Sequence, residues 1–265
     1  MNKRILTEIW IYPVKGLGGM RISSSRVLEK GLQYDRRWML VNEHNTFMTQ
    51  RESSTLSLFK LSVHDMAFKV TFRNEAILLP FVHSVIDKLI AATVWDDSVT
   101  TFEVSKAHSD WFSQRLGIKC KLVSFPEENP RAVAAEYCIN NEQVSLADGY
   151  PLLIVGQSSL DDLNGRLISP VPINRFRPNL VFTGGAPFEE DNWKQFTIGK
   201  NRFAGVKPCA RCIVPTIDQE TGEREREPLL TLSRYRKRDM EIYFGQNVLA
   251  IDQHEINEGN EITFE

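Results

Sequence analysis

Four cysteines in 265 residues are too few for a disulfide-stapled secreted fold. Nor is there a long hydrophobic run. Apolar stretches such as residues 77–80 and 152–156 fall far short of the roughly 20 residues that span a bilayer, so no membrane partner is expected. Charge of one sign is also missing: 32 Lys and Arg face 34 Asp and Glu, a net charge of −2. A nucleic-acid polymer, normally held by a basic surface, is therefore not an expected partner. No Gly-x-Gly-x-x-Gly follows a strand-like run and no Walker motif occurs, which argues against standard dinucleotide and nucleoside-triphosphate sites. Sequence repeats and low-complexity segments are absent. At the N-terminus, Lys3 and Arg4 lead into a run interrupted by Thr7 and Glu8, with no apolar core and no small-residue cleavage site. A cytoplasmic location is the expectation.

What is present is an ordinary globular composition: 42% hydrophobic, 25% charged, mean hydropathy −0.28. A chain of this length fits one or two domains and needs no metal or disulfide staple to fold. The first hundred residues read as short strands. Ile5, Ile9 and Ile11 alternate with polar and bulky neighbours, a strand period that ends at Pro13. Residues 38–41 and 46–49 flank Asn42-Glu43-His44-Asn45 as a hairpin. Strands are also expected at 56–63, 67–72, 76–79 and 99–104. Ala107, Trp111, Phe112 and Leu116 lie at helical spacing, with Gly117 as the stop. A strand at 118–125 follows.

The polar, proline-flanked segment 126–130 is the expected boundary between domains 1–125 and 126–265. Beyond it, 152–155 reads as a buried strand. Ser158 reads as the cap of a helix bearing Leu160, Leu163 and Leu167, and 228–237 as a second helix. Further short strands are expected at 179–183, 196–199, 203–206, 213–217, 248–251 and 262–264. Many short strands with Gly and Asn turns point to barrels, not to a doubly wound sheet.

Lys207-Pro208-Cys209-Ala210-Arg211-Cys212 carries the strongest chemical signal, because flanking cations favour the thiolate. Three readings compete. A four-cysteine zinc site needs a second pair, and Cys120 and Cys138 lack the spacing. A thioredoxin-like dithiol needs a helix start, whereas 213–217 reads as a strand. The third reading is one cysteinate on a soft or redox-active metal with a second cysteine nearby. Cations also cluster in Asn174-Arg175-Phe176-Arg177-Pro178-Asn179, Tyr12-Pro13-Val14-Lys15-Gly16 and Tyr34-Asp35-Arg36-Arg37-Trp38. Such arginines suit a phosphate, although any one of them alone reads more readily as a solvated surface charge.

Taken in order, Tyr12-Pro13-Val14-Lys15, Asp35-Arg36-Arg37-Trp38, Thr49-Gln50-Arg51, Ser159-Leu160-Asp161-Asp162-Leu163-Asn164, Arg175-Phe176-Arg177-Pro178-Asn179, Asp191-Asn192-Trp193 and Cys209-Ala210-Arg211-Cys212 resemble the MOSC family. The likeness is greatest to its amidoxime-reducing branch. It implies an α+β, mostly β fold: an N-terminal MOSC-type β-barrel domain, then a MOSC β-barrel domain with a few packed helices. It implies the molybdenum cofactor, Mo-molybdopterin, with Cys212 as metal ligand and catalytic residue. Lys15, Arg36, Arg177 and Asn179 are assigned to pterin and phosphate contacts, and Asp148 to a further position in the site. Pyridoxal phosphate binding is also attributed to the family. The branch has serine where this chain has Gly16, and hydroxyl residues where it has Gly149-Tyr150, so backbone N–H groups would substitute there.

The implied activity is reduction of small N-hydroxylated compounds. Electrons would come from a separate ferredoxin- or flavoprotein-type donor, since no four-cysteine iron–sulfur spacing occurs. The alternatives are a cofactor carrier or insertion protein, and sulfur transfer through Cys209 or Cys212.

Overall fold

A computed structural model of the chain describes residues 3–82 and 89–264. The strand Arg4–Ile11 shows how local sequence builds the architecture. A strict period of two would put Ile5 on one face with Ile9 and Ile11. Instead the register shifts between Leu6 and Glu8, so Leu6 joins Ile9 and Ile11 in the core and Ile5 is left half-buried. One inserted residue thus inverts half of the strand.

Within the first half of the chain this strand pairs antiparallel with the short strand Met20–Ile22, through Ile9, Trp10 and Ile11. It also runs antiparallel to Leu180–Thr183 on one side and to Glu261–Thr263 on the other. From there the sheet continues through Gln195–Ile198, Asn201–Ala210, Glu241–Ala250 and Leu152–Gly156, which returns to Leu180–Thr183. The result is a closed seven-stranded barrel, which leaves no free edges.

The rest of the first half forms a five-stranded sheet of Leu89–Val94, Asp97–Glu103, Lys121–Ser124, Trp38–Val41 and Val14–Lys15, the three strands Phe59–His64, Ala67–Phe72 and Glu75–Pro80, and the strands Ser24–Leu28 and Gly31–Leu32, the former paired with Glu255–Asn257. The helix Lys106–Leu116 covers it. Ser105 Oγ accepts from the His108 amide at its start, and Gly117 closes it at φ 68°. The largest apolar cluster mixes both halves, from Leu6, Phe59 and Phe112 to Phe182, Phe203 and Ile262. No helix among the described residues is long and apolar enough to cross a membrane.

The mostly β, two-barrel-type expectation is met, with three α-helices in all among the described residues. Several local expectations fail for identifiable reasons. Residues 54–58 form a 3₁₀ turn before the strand Phe59–His64. The hairpin partner at 46–49 is reduced to isolated bridges, Val41 to Phe47 and Thr46 to Thr93. Ser158 is no cap: its helix, Gln157–Asn164, starts after Gly156 and receives no side-chain cap. The helix expected over 228–237 is only Leu229–Leu232, because the chain turns back into the short strand Lys237–Arg238. Residues 214–216 form a 3₁₀ turn where a strand was expected, since Pro215 cannot donate to a ladder. The strand Leu89–Val94 had no contrast to reveal it, because Ala91 and Ala92 alternate out and in without a polarity difference.

Because Arg4–Ile11 fills a gap in the barrel, a fragment of residues 126–265 should show no cooperative thermal transition by circular dichroism. Adding a peptide of residues 3–22 should restore one. A cooperative melt of the fragment alone would refute this dependence.

Candidate functional site

Barrel strands Leu152–Gly156, Asn201–Ala210 and Glu241–Ala250 lend residues to a cavity of about 300 Å³, completed by Lys15 and the loop 48–51. Lys15, Arg36, Asp148, Arg177, Asn179 and Cys212 all line it, so residues spread over nearly 200 positions meet in one hollow. The lining also holds Arg51, Lys207 and Arg211. Asp148 is the one carboxylate among these lining residues, against the cations Lys15, Arg36, Arg51, Arg177, Lys207 and Arg211.

Lys15 is fixed because Val14–Lys15 runs parallel to Trp38–Val41. Its buried Nζ donates to Leu146 O at 2.7 Å and Asp148 Oδ1 at 2.5 Å, over the Phe47 ring. Burial pulls the ammonium down to about 8, and Asp148 opposes that shift. Desolvation in the cleft works against ionisation of Asp148. Lys15 and Arg51 outweigh it and hold the carboxyl well below the usual carboxylate range. Arg51 donates to Asp148 Oδ2 at 3.0 Å.

The opposite wall is organised around Tyr12, which is buried with its hydroxyl donating to Pro178 O at 3.0 Å. Arg36 and Arg177 lie 4.5 and 4.2 Å over its ring centroid. Both adopt positive φ, at 52° and 54°, which turns them sharply out of their segments. Gly19 lies against the same ring: a Cβ there would fall 2.2 Å from Tyr12 Cε1. Asp35, fully buried, accepts from the Tyr12 amide at 2.8 Å and from Arg36 Nη1. Arg177 has no carboxylate partner among the described residues. Its Nη1 donates to Leu17 O at 2.7 Å, and burial pulls it down to about 10. Asn179 is committed to the scaffold. Its Oδ1 accepts from Arg36 and from the Leu153 amide, and its Nδ2 donates to Trp10 O.

The two thiols differ. Cys209, at a register shift near the end of its strand, accepts from Arg211 Nη1 at 3.0 Å and packs against the apolar cluster of Leu153, Phe176 and Phe244. Arg211 also donates to Phe176 O at 2.6 Å, and its buried Nε is unpartnered. Cys212 lies in the loop beyond, half-buried. Although burial opposes it, Arg51 is raised above its ordinary value by Asp148 and then Cys212. No three His, Cys, Asp or Glu side chains cluster to hold a metal alone among the described residues. Cys120 bonds Ser113 and Cys138 bonds Val133 O, so neither completes a zinc set. The pair also precedes a 3₁₀ turn, not the helix a dithiol redox site uses.

The sequence left several residues without a role. Arg51 and Arg211 lie inside motifs already noted but unassigned. Arg131 gave no signal at all, being next to the polar boundary segment. Its guanidinium donates to Ser145 O, Ala147 O and Asp148 O at 2.7, 2.5 and 3.2 Å and pairs with Asp97, which fixes the loop carrying Asp148. Similarly, buried Gln50 and Gln219 exchange amide bonds, and Arg224 donates to the carbonyls of Gln50 and Arg51.

A family profile described as MOSC domain matches residues 141–263, and one described as MOSC N-terminal beta barrel domain matches residues 4–119. The chain is 32% identical over 241 residues to mitochondrial amidoxime-reducing component 1 of Mus musculus, covering 87% of this chain and 71% of that one. The human protein of that name is 31% identical over 244 residues, with 88% and 72% covered. The molybdenum cofactor sulfurase of Oryza sativa subsp. japonica is 29% identical over 279 residues, which is 97% of this chain and 34% of the sulfurase.

Lys15 gives the cavity a titration. Its ammonium is present below about pH 8 and lost above it, so affinity for an anion should fall as pH rises. Sulfate, whose charge is constant over this range, should bind about tenfold more weakly at pH 9 than at pH 7 by calorimetry. Lys15→Arg should flatten the profile. An unchanged affinity in the native protein, or the same decline in Lys15→Arg, would exclude Lys15 as the titrating contact.

Proposed function

The chain belongs to the MOSC family, and from that premise we propose that it is a molybdenum-cofactor-dependent reductase of N-hydroxylated compounds. The observation that carries the reading is a thiol, Cys212, in the same cavity as half-buried cations that lack carboxylate partners among the described residues, Arg177 above all. Withdrawing a charge from water without a partner is costly, so such a cavity favours an anion. A phosphorylated pterin with a thiolate-bound metal meets both demands, because it brings negative charge and takes a soft ligand.

On this reading Cys212 supplies the metal ligand. Arg36 and Arg177 receive the anionic end, with Lys15 beside them, and Lys207 and Arg211 extend the positive lining. Asn179 positions Arg36, and Asp148 keeps Lys15 oriented. When bound, the cofactor supplies two-electron chemistry that removes oxygen from nitrogen: R–NHOH, two electrons and two protons give R–NH₂ and water. The protein binds and orients the substrate. It also holds positive charge where negative charge must be stabilised. On this reading electrons come from a ferredoxin- or flavoprotein-type donor.

The test is expression in a host that makes the cofactor, followed by metal analysis and an assay with reduced viologen. The native protein should retain molybdenum and reduce benzamidoxime. Cys212→Ser should lose at least about nine-tenths of the metal, and Arg177→Ala should retain clearly less cofactor than the native protein. Metal retention unchanged in Cys212→Ser would overturn the ligand assignment. Bound molybdenum without turnover would favour a cofactor carrier, and a cysteine mass increased by one sulfur would favour sulfur transfer.

A further inference from the structure

Trp95 sits beside this cavity and has no part in the reading above. It is the first residue of the two-residue loop joining Leu89–Val94 to Asp97–Glu103, whose closing pair is Val94 and Asp97. Its φ is 56°, in the left-handed region that such loops ordinarily give to Gly, Asn or Asp. A tryptophan is an unfavourable choice there, and burial does not reward it, because it remains 44% exposed. A residue that breaks a local rule and stays nearly half exposed points to use.

Its neighbours show where it stands. Nε1 donates to Asp148 Oδ1 at 3.3 Å, the Arg51 guanidinium lies 4.5 Å over its ring, and the Phe47 ring meets it edge-on at 4.9 Å. Asp148 and Arg51 both line the cavity. Trp95 is thus held against the cavity-lining Asp148 and Arg51 by a hydrogen bond and a stacked cation, and against a second ring, with nearly half of its surface still exposed. Aromatic surfaces held in this way stack on flat groups of a ligand and gain little from a short alkyl chain.

We propose that Trp95 is a specificity-determining residue: its indole is a stacking wall that makes the site prefer N-hydroxylated compounds carrying an aromatic ring. This rests on the reading of the cavity as a site for N-hydroxylated substrates. The variants are Trp95→Asn, whose side chain suits the left-handed loop and so preserves the hairpin, and Trp95→Phe, which keeps a ring.

In cofactor-loaded protein with reduced viologen, Trp95→Asn should lower the benzamidoxime-to-acetamidoxime ratio of kcat/KM about tenfold. The loss should lie in KM for benzamidoxime, and Trp95→Phe should recover most of it. An unchanged ratio, or equal losses for both compounds, would overturn the proposal. A second readout needs no turnover. Benzamidoxime should quench tryptophan fluorescence saturably in the cofactor-free native protein. In Trp95→Phe that quenching should vanish while calorimetry still detects binding. Quenching absent from the native protein, or retained in full by Trp95→Phe, would also overturn the proposal. Quenching as expected with neither compound reduced would retain the stacking wall and reject the reductase reading instead.

Discussion

Two guanidinium groups bearing on one buried ring set the terms for this site. Arg36 and Arg177 both lie over Tyr12, and like charges repel strongly where water is excluded. The fold offsets part of that cost. Asp35 neutralises Arg36, backbone carbonyls solvate both guanidinium groups, and the ring adds about 0.5–2 kcal/mol per cation. Compensation stops there. Arg177 and Arg211 meet carbonyls, a ring and a thiol among the described residues, so the positive charge is held in place but not cancelled. A structural ion-pair network would have brought carboxylates with its arginines, as Arg131 does with Asp97 at the edge of the same region. The surplus charge is therefore left without a counter-charge among the described residues.

Precision in such a site must come from the scaffold, and here it comes from joining the two halves of the chain. Asn179 is the joint. Its backbone and side chain bond Trp10 on the first strand and Leu153 on another, while its Oδ1 steadies Arg36. The same strand that closes the barrel leads through Ile11 into Tyr12, Val14 and Lys15. Barrel closure and cation placement are thus one event along the chain. On the other side Arg131 gathers three carbonyls of the loop 145–148, so the Asp148 carboxylate that meets Lys15 is carried on a tethered segment. Side chains locked by packing and outer hydrogen bonds are what keep a binding constellation in register.

How much of this could be read from residue order depends on whether a signal was local. The helix at 106–116 announced itself through apolar spacing and Gly117, because both act within a few residues. The cation-bearing motifs and the thiol pair were legible for the same reason: short, dense groups of chemically marked residues stand out. The bulge that turns Leu6 inward was not, since nothing in Leu6-Thr7-Glu8 distinguishes a bulge from a regular strand. Residues 228–237 misled because a proline tolerated in a helix's first turn says nothing of a strand at 237–238 pairing with 241–242. Arg131 and Arg224 act through backbone carbonyls from distant loops, and carbonyls carry no residue identity. Trp95 needed the left-handed φ to become conspicuous; as a letter between Val94 and Asp96 it reads as one more strand aromatic.

The thiol pair shows why spacing alone left three chemistries open. Two cysteines three positions apart look equivalent, yet the end of a strand separates their environments. Cys209 sits at a register shift near the end of its strand, packs against hydrocarbon at the cavity wall and already accepts from Arg211. Cys212 lies past the ladder, near Arg51, where the chain has turned toward the cavity. A dithiol redox pair needs both sulfurs to be exchangeable, and a zinc site needs four similar ligands. This arrangement offers one sulfur in an electropositive mouth and one engaged by its neighbour. Asymmetry of that kind suits a single cysteinate ligand with a guanidinium bridging behind it. Arg211, bonded at once to Cys209 and to the Phe176 carbonyl, ties the thiol loop to the same turn from which Arg177 projects.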